Sequence, residues 1–400
     1  MTSDGKYPAP RPLNADVEGG GEVKAKVVTK VMIWDLPLRI FHWSLLATVA
    51  IAGFTGFAAP ASWLDTHLFA GYALAILLVF RLAWGVLGSH YSTFRSFPLA
   101  PRSAFRHIRS LLRNSSAAHT GHNPVGAWMI IAILFLLSAL VLTGLIVLGG
   151  QENIGPLGFL VDFQTGWRAA ALHEIAAWGL AVAIAVHLLG VFVEARLLRH
   201  SVLSAMITGN KLVSPAKAKG HGRSYTARGL TLFAIAALLL LGGGKILASI
   251  PASGWKPVQA PAAYSAECGD CHDAYHPSLR TAASWRGIMS GLSDHYGEDA
   301  SLDAETAAAI GSFLAANAAE TFDTEAAWRM GRIDTKSLRI TDTPYWTTRH
   351  AGIADGVFKL SGIGSKVNCN GCHRDAASGR FADQNIHLPN LSKLPNGSQK

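Results

Sequence analysis

The chain has 400 residues, of which 50% are hydrophobic and only 15% charged, and its mean hydropathy is +0.26. That composition excludes a disordered chain and an ordinary water-soluble domain of this size. The formal charge of +9 falls between apolar runs, whereas residues 255–400 are slightly acidic, so the high pI does not call for a nucleic-acid partner.

Residues 1–30 are polar and rich in Gly and Pro, and read as a disordered cytoplasmic tail with no cleavable signal peptide. Five runs follow, near Leu38–Phe57, Leu68–Leu87, Gly126–Leu148, Ala171–Ala195 and Leu230–Ile250. Each is long enough to cross a hydrocarbon layer of ~30 Å. The second-to-third connection carries Arg95, Arg102, Arg106, Arg109 and Arg113, and the fourth-to-fifth is similarly basic, with Arg196, Arg199 and Lys211 among others. Ala58–Thr66 has no Lys or Arg, and Gly149–Ala170 has only Arg168. The positive-inside rule then places the N-terminus in the cytoplasm and everything after the fifth run on the periplasmic side.

Histidine inside hydrocarbon is unfavourable unless paired or ligating. His42 lies early in the first crossing, His67 at the start of the second, and His173 and His187 in the fourth. The last two are 14 residues apart, which puts them on one helical face. Under the charge-derived orientation His42 and His187 share the cytoplasmic depth, and His67 and His173 the periplasmic depth. Two depth-matched pairs suit two stacked bis-histidine b haems. His90, His107, His119, His122, His200 and His221 fall in cytoplasmic connections, where a surface position is expected.

After Pro251 the composition becomes that of a soluble domain. All four cysteines lie there, in Cys268-Gly-Asp-Cys271-His272 and Cys369-Asn-Gly-Cys372-His373. Cys-x-x-Cys-His is the signature of covalent c-type haem, with two thioethers and one axial imidazole per motif. No cysteine is left over, which disfavours a zinc site or a redox disulfide. Besides His272 and His373 the domain offers His276, His295, His350 and His387, with Met289 and Met330 as alternatives. His276 follows His272 by four residues and would share its helical face. His295 and His350 are therefore favoured as the distal ligands, with Met289 read as core packing.

Trp34-Asp35-Leu36-Pro37-Leu38-Arg39-Ile40-Phe41-His42-Trp43, His67 with Gly71, Phe80-Arg81-x-x-Trp84-Gly85 and the His173/His187 helix resemble the bacterial cytochrome b-561 and hydrogenase cytochrome b group over about residues 30–212. The resemblance implies four helices holding two b haems through His42, His67, His173 and His187, and exchange of electrons with the quinone pool. Arg39 and Arg81 would approach haem propionates or the quinone, or else snorkel to the interface. Ala263 to Pro389 resembles the periplasmic dihaem cytochrome c proteins that partner the sphaeroides haem protein. Ser284-Trp285-Arg-Gly-Ile288-Met289-x-x-Leu292-x-x-His295 and Arg339-Ile340-Thr341-x-Thr343-Pro344-x-Trp346-x-x-x-His350 carry that likeness beyond the haem motifs. It implies bis-histidine coordination of both c haems.

The expected fold is all-α: a membrane bundle of four haem-binding helices over 31–212, a cytoplasmic linker at 213–229, a fifth tether helix at 230–250, and a mostly helical c domain over 251–400. The expected protein is an inner-membrane tetrahaem electron carrier linking the quinone pool, two haem b, two haem c and a periplasmic c-type cytochrome such as a sphaeroides-haem-protein-like acceptor. As an enzyme it would be a quinol:cytochrome c-type oxidoreductase. Two other readings are an anchor subunit for a periplasmic dehydrogenase or hydrogenase, and an oxidoreductase acting on a small species such as superoxide.

Overall fold

The computed structural model describes residues 29–113, 119–197, 202–213, 225–332 and 337–388. The expected tail over residues 1–28, most of the linker, His200 and His221 lie outside the described residues. The described part is mostly helical, with one short ribbon. In chain order it contains β1 (Thr29–Met32), α1 (Leu36–Phe57), α2 (Leu64–Leu87), α3 (Pro101–Leu112), α4 (Pro124–Gln151), α5 (Phe163–Phe192), α6 (Val202–Thr208), β2 (Asn210–Val213) and α7 (Thr226–Ala248). The last part holds α8 (Ala262–Glu267), α9 (Ala282–Ser290), α10 (Ala304–Ala316), α11 (Pro344–His350) and α12 (Asp355–Phe358), joined by irregular chain and single 3-10 turns.

Among the described residues five helices are long and apolar enough to cross a membrane. They are apolar around most of their circumference, as a lipid-facing helix must be. Phe69, Phe135 and Leu238 are 74%, 71% and 72% exposed, an exposure that water would penalise and hydrocarbon does not. The fourth span begins at Phe163 rather than near Ala171, so His173, close to the start of the expected run, lies well inside α5. The fifth helix starts at Thr226, four residues before the first residue of its apolar run.

By its contacts the chain divides into two units, and the boundary cuts across the long helices. One comprises residues up to Leu46 with Leu77–Phe135 and Leu180–Ala236. Here β1 and β2 pair antiparallel, Thr29 opposite Val213 and Met32 opposite Asn210. The strand takes up the last two residues of the expected disordered tail, because backbone pairing supplies what composition does not show. Gly209, at φ +83°, turns α6 into β2 and accepts the N–H groups of Ile33 and Trp34 at 2.8 and 3.1 Å. A Cβ at that position would lie 2.7 Å from the Trp34 carbonyl oxygen. Ile33, Trp34, Leu38, Phe41, Phe80 and Trp84 form the apolar cluster beneath.

The polar centre of this cluster is Asp35. Its carboxylate receives Leu38 N–H at 2.9 Å, Trp84 Nε1–H at 3.2 Å and the Ser92 hydroxyl at 2.9 Å. Arg81 is buried beside it, donating to Ser92 O at 3.2 Å with its guanidinium 4.6 Å from the Phe94 ring centre. It therefore does not snorkel. The expectation of surface histidines holds for His90 and His119, which are exposed, and fails for two others: His107 is buried, 3.8 Å from the Glu194 carboxylate and edge-on to His119 at 5.0 Å. His122 packs between Trp34 and Phe97 at 4.5 and 4.6 Å, and burial lowers its pKa to about 3. Connections that fold back on a core can bury the imidazoles they carry.

The second unit comprises Ala47–Ile76, Leu136–Gly179 and the chain from Ala237 onward. Its water-facing part has no single large core. Small clusters centre on Trp285 with Ile310 and Leu314, on Leu279 with Met330 and Ile340, and on Val357 with Phe358 and Ile363. Met330 is core, and Met289 packs at the edge of the first cluster. Such dispersed packing suits a domain whose interior is completed by large prosthetic groups.

Asp35→Ala is expected to strand buried donors and to destabilise the membrane part by at least about 2 kcal/mol, with Asp35→Asn milder because one acceptor oxygen remains. Thermal unfolding of the detergent-solubilised protein measures this. An unchanged Tm for Asp35→Ala would contradict the central role of that carboxylate.

Candidate functional site

The membrane histidines fall two to each unit. In the second, His67 of α2 and His173 of α5 face one another with ring centres 6.2 Å apart. A metal bound by one nitrogen of each ring at about 2 Å requires roughly this separation. The same local device supports both rings. Thr55 on α1 approaches His67 Nδ1 at 3.0 Å and Thr143 on α4 approaches His173 Nδ1 at 3.0 Å. Each hydroxyl already donates to a helical carbonyl, Ile51 O at 2.8 Å and Ala139 O at 2.6 Å. The threonine must then accept from Nδ1–H, which leaves each Nε2 lone pair free to ligate. Gly56 and Gly144 follow those threonines, and a Cβ on either would stand 3.3 Å from the Cε1 of its histidine.

In the first unit His187 is close enough to His42 to act on it electrostatically. His42 Nδ1 is buried with no hydrogen-bond partner among the described residues, and Trp43 packs edge-on against the ring at 5.4 Å.

Outside the membrane helices two further opposed pairs occur. Cys268 caps α8, and the chain leaving it presents His272, whose Nδ1 lies 2.8 Å from Asp273 O and whose ring stacks on Tyr275 at 4.8 Å. His272 faces His295 with ring centres 6.4 Å apart and planes at 25°. His295 is held by a tight turn: it donates its N–H to Glu298 O at 2.7 Å, while Tyr296 and Gly297 take φ values of 59° and 102°. The second pair is His350 and His373, with ring centres 6.2 Å apart. Thr343 caps α11, which ends on His350; the His350 Nδ1 returns to Trp346 O at 2.8 Å and the ring stacks on Trp346 at 4.4 Å. A cavity of about 390 Å³ opens beside His350, lined by Trp346, Ile353, Phe358 and Lys366 among others.

His276 takes neither distal position. The chain from His272 to His276 is irregular rather than helical, so the shared-face argument does not apply. What removes His276 is its own engagement. Its Nδ1 accepts Ser278 N–H at 3.3 Å, its ring packs on Phe322 at 5.2 Å, and burial lowers its pKa to about 4. Gly379, at φ +70°, makes room for it, since a Cβ there would lie 2.2 Å from His276 Nδ1. His387 is exposed, with its backbone N–H on Cys372 O at 2.7 Å.

The four cysteines are unpaired, and among the described residues no three of His, Cys, Asp and Glu converge to hold a metal ion. Opposed imidazoles at haem-iron spacing, with outer nitrogens anchored and small residues beside the membrane rings, fit haem rather than zinc. Thr55, Thr143 and the two glycines escaped sequence reasoning. The available signal was a Thr-Gly pair repeated on α1 and α4.

These features define a multihaem membrane cytochrome. Residues 33–209 match the family described as prokaryotic cytochrome b561, and residues 264–381 match dihaem cytochrome c. The chain thus joins a domain of the cytochrome b561 family to a dihaem cytochrome c domain. It carries b-type and c-type haem and transfers electrons. A probable Ni/Fe-hydrogenase B-type cytochrome subunit of Cupriavidus necator is 26% identical over 231 residues, 49% of this chain and 93% of the relative. A probable Ni/Fe-hydrogenase 1 B-type cytochrome subunit of Escherichia coli strain K12 is 21% identical over 234 residues, 50% of this chain and 99% of the relative. Among solved structures, a diheme cytochrome c from Rhodobacter sphaeroides is 36% identical, covering 31% of this chain and 98% of its own, with a TM-score of 0.27. A diheme cytochrome type c from Shewanella baltica OS155 is 31% identical, covering 33% and 95%, also with a TM-score of 0.27.

Thr143→Val keeps the shape beside His173 but deletes its hydrogen bond, and is expected to weaken haem b retention by about 10–100-fold; the haem b to protein ratio after purification reads this. His276 gives a pH signature. The unfolded chain takes up its proton near the ordinary value of 6.5, but the folded domain only near 4. Stability should therefore fall as pH drops through that window and level below it. Melts of the c-haem absorbance in the full chain should show that slope, and His276→Gln should remove its share.

Proposed function

We propose that eight histidines hold four haems: His42 with His187 and His67 with His173 for two haem b, His272 with His295 and His350 with His373 for two haem c. Cys268, Cys271, Cys369 and Cys372 would form the thioethers. The observation that carries this reading is the recurrence of one spacing, 6.2, 6.4 and 6.2 Å, in three separate opposed pairs. Each haem, when bound, would supply one-electron chemistry, with its potential kept low by imidazole on both faces. With both axial positions filled by protein, no site is left for a small substrate, which disfavours an oxidase or a superoxide-consuming enzyme.

The protein's own residues would position and insulate. Thr55 and Thr143 hold the outer membrane pair in one tautomer. Tyr275 stacks on His272 and donates its hydroxyl to Val367 O at 3.2 Å, two residues before Cys369, which supports passage between the two c sites. The charge asymmetry of the connections supports an inner-membrane location with the N-terminus cytoplasmic and the c domain periplasmic. The resulting route runs from a membrane quinol to a periplasmic c-type cytochrome. Each quinol oxidised yields two electrons, which leave one at a time, and two protons released to water.

A second reading has specific support in the relatives named as hydrogenase B-type cytochrome subunits. The chain would then anchor a periplasmic dehydrogenase or hydrogenase and pass its electrons into the quinone pool. Co-purification of a large metalloenzyme would favour it.

Purified protein should carry four haems, two extracted by acid acetone and two not. Addition of a quinol analogue should raise the reduced c-haem band after the b-haem band. A quinol that reduces the b haems and leaves both c haems oxidised rules out the proposed route.

A further inference from the structure

The c domain and the ends of α1, α2, α4 and α5 belong to one unit, and they meet at a built junction. Asp323 accepts the backbone N–H of Phe163 at 2.8 Å, capping from another domain the helix that carries His173. Trp328 stacks on Phe163 at 5.8 Å, and the Arg329 guanidinium covers the Trp167 ring at 5.3 Å. Arg380 donates to Asn153 O at 3.0 Å and Glu152 O at 3.4 Å, both in the α4–α5 connection. Asp383 N–H reaches the Glu152 carboxylate at 3.2 Å, and the turn Ala61–Trp63 between α1 and α2 packs on Asp383–Asn385. Glu152 is buried there, which together with the nearby Asp383, Glu325 and Asp375 carboxylates pushes its pKa up to about 8. A neutral carboxyl is what a close junction beside three acids requires.

Among the described residues this junction lies against one of the two c-haem motifs. Phe381, next to Arg380, packs on the His373 ring at 5.3 Å. Asp375, two residues past His373, accepts Ala382 N–H at 3.0 Å and the Asn385 amide at 2.8 Å. On the distal side Arg349, next to His350, pairs with Asp383 at 3.4 Å. Both ligands of that site are thus one residue or one ring from the junction. His295 sits instead in an exposed turn that bonds to itself: Ala300 N–H goes to Leu292 O at 2.8 Å, and Asp294, Glu298 and Asp299 are exposed around it.

Resting on the four-haem reading above, we infer that the site of Cys369, Cys372, His350 and His373 is the one seated on the membrane domain and exchanging electrons with it, while the site of Cys268, Cys271, His272 and His295 faces outward to the soluble partner. In each transfer one electron leaves a ferrous b haem, which becomes ferric, and reduces the ferric haem at Cys369 and Cys372. No bond and no proton changes place. Tyr275 then stands between the inner and outer sites.

The test uses the full holoprotein and two variants, Cys369→Ser with Cys372→Ser and Cys268→Ser with Cys271→Ser, each lacking one c haem. In the oxidised state, pulsed EPR of the low-spin b-haem signals is expected to show relaxation slowed by loss of the inner c haem and unmoved by loss of the outer one. Equal effects, or an effect only from the outer loss, overturn the inference. Arg380→Ala should slow b-to-c transfer by about tenfold without altering the b-haem spectrum; an unaltered transfer rate counts against the junction. Should the haem-lacking variants fail to fold, His350→Met and His295→Met each raise the potential of one c haem. The same relaxation measurement, with that haem alone poised ferrous and diamagnetic, then replaces them, and a larger effect from His295→Met overturns the assignment. EPR proximity of the inner haem together with no c-haem reduction by a quinol would sustain the seating and sink the quinol route, so the two failures are separable.

Discussion

An imidazole within a hydrocarbon layer is costly unless its nitrogens find partners, and the His67–His173 pair depends on how that is met. At His67 and His173 the inward side is left to a ligand, while a threonine hydroxyl, itself committed to its own helix, can only accept from the outer nitrogen. The arrangement selects one tautomer, aims one lone pair, and does so twice with the same Thr-Gly step. The adjacent glycines matter because any side chain there would press on the ring edge.

Three kinds of support hold histidines in place elsewhere in the chain. His272 and His350 use backbone carbonyls, Asp273 O and Trp346 O, and an aromatic face on one side. His295 relies on a turn containing a tyrosine at positive φ. In each case a local backbone feature positions the ring, while its opposite number comes from a distant segment. His276 shows the contrast: more deeply buried and near a haem motif, it is satisfied by Ser278 and Phe322 and faces no second imidazole among the described residues.

The two functional parts are joined by more than a tether. Asp323 caps α5, so the helix bearing His173 and His187 takes its first hydrogen-bond acceptor from the c domain. That link couples the placement of the c domain to the placement of a helix proposed to hold haem, which suits a relay whose rates depend on separation. The Asp35 cluster performs the corresponding task in the other unit, tying the start of α1, which leads to His42, to Trp84 and Ser92 at the end of α2 and the turn after it.

Much of this was legible in the chain. Hydrophobic run length marks the five crossings because a helix must satisfy its backbone within the bilayer, and Cys-x-x-Cys-His marks covalent haem because its chemistry needs those residues adjacent. Intramembrane histidines stand out for the same energetic reason. The sequence could not determine which imidazole faces which, since His272 with His295 and His350 with His373 meet only through tertiary packing. Nor could it show that His107, His122 and Arg81 are buried, because the connections that carry the two histidines, and that cover Arg81 with Ser92 and Phe94, fold back onto a core. Local covalent and solvation constraints are written residue by residue. Opposed rings, a helix capped from another domain, and the proposed seating of one haem motif on the membrane part arise only when distant segments share space.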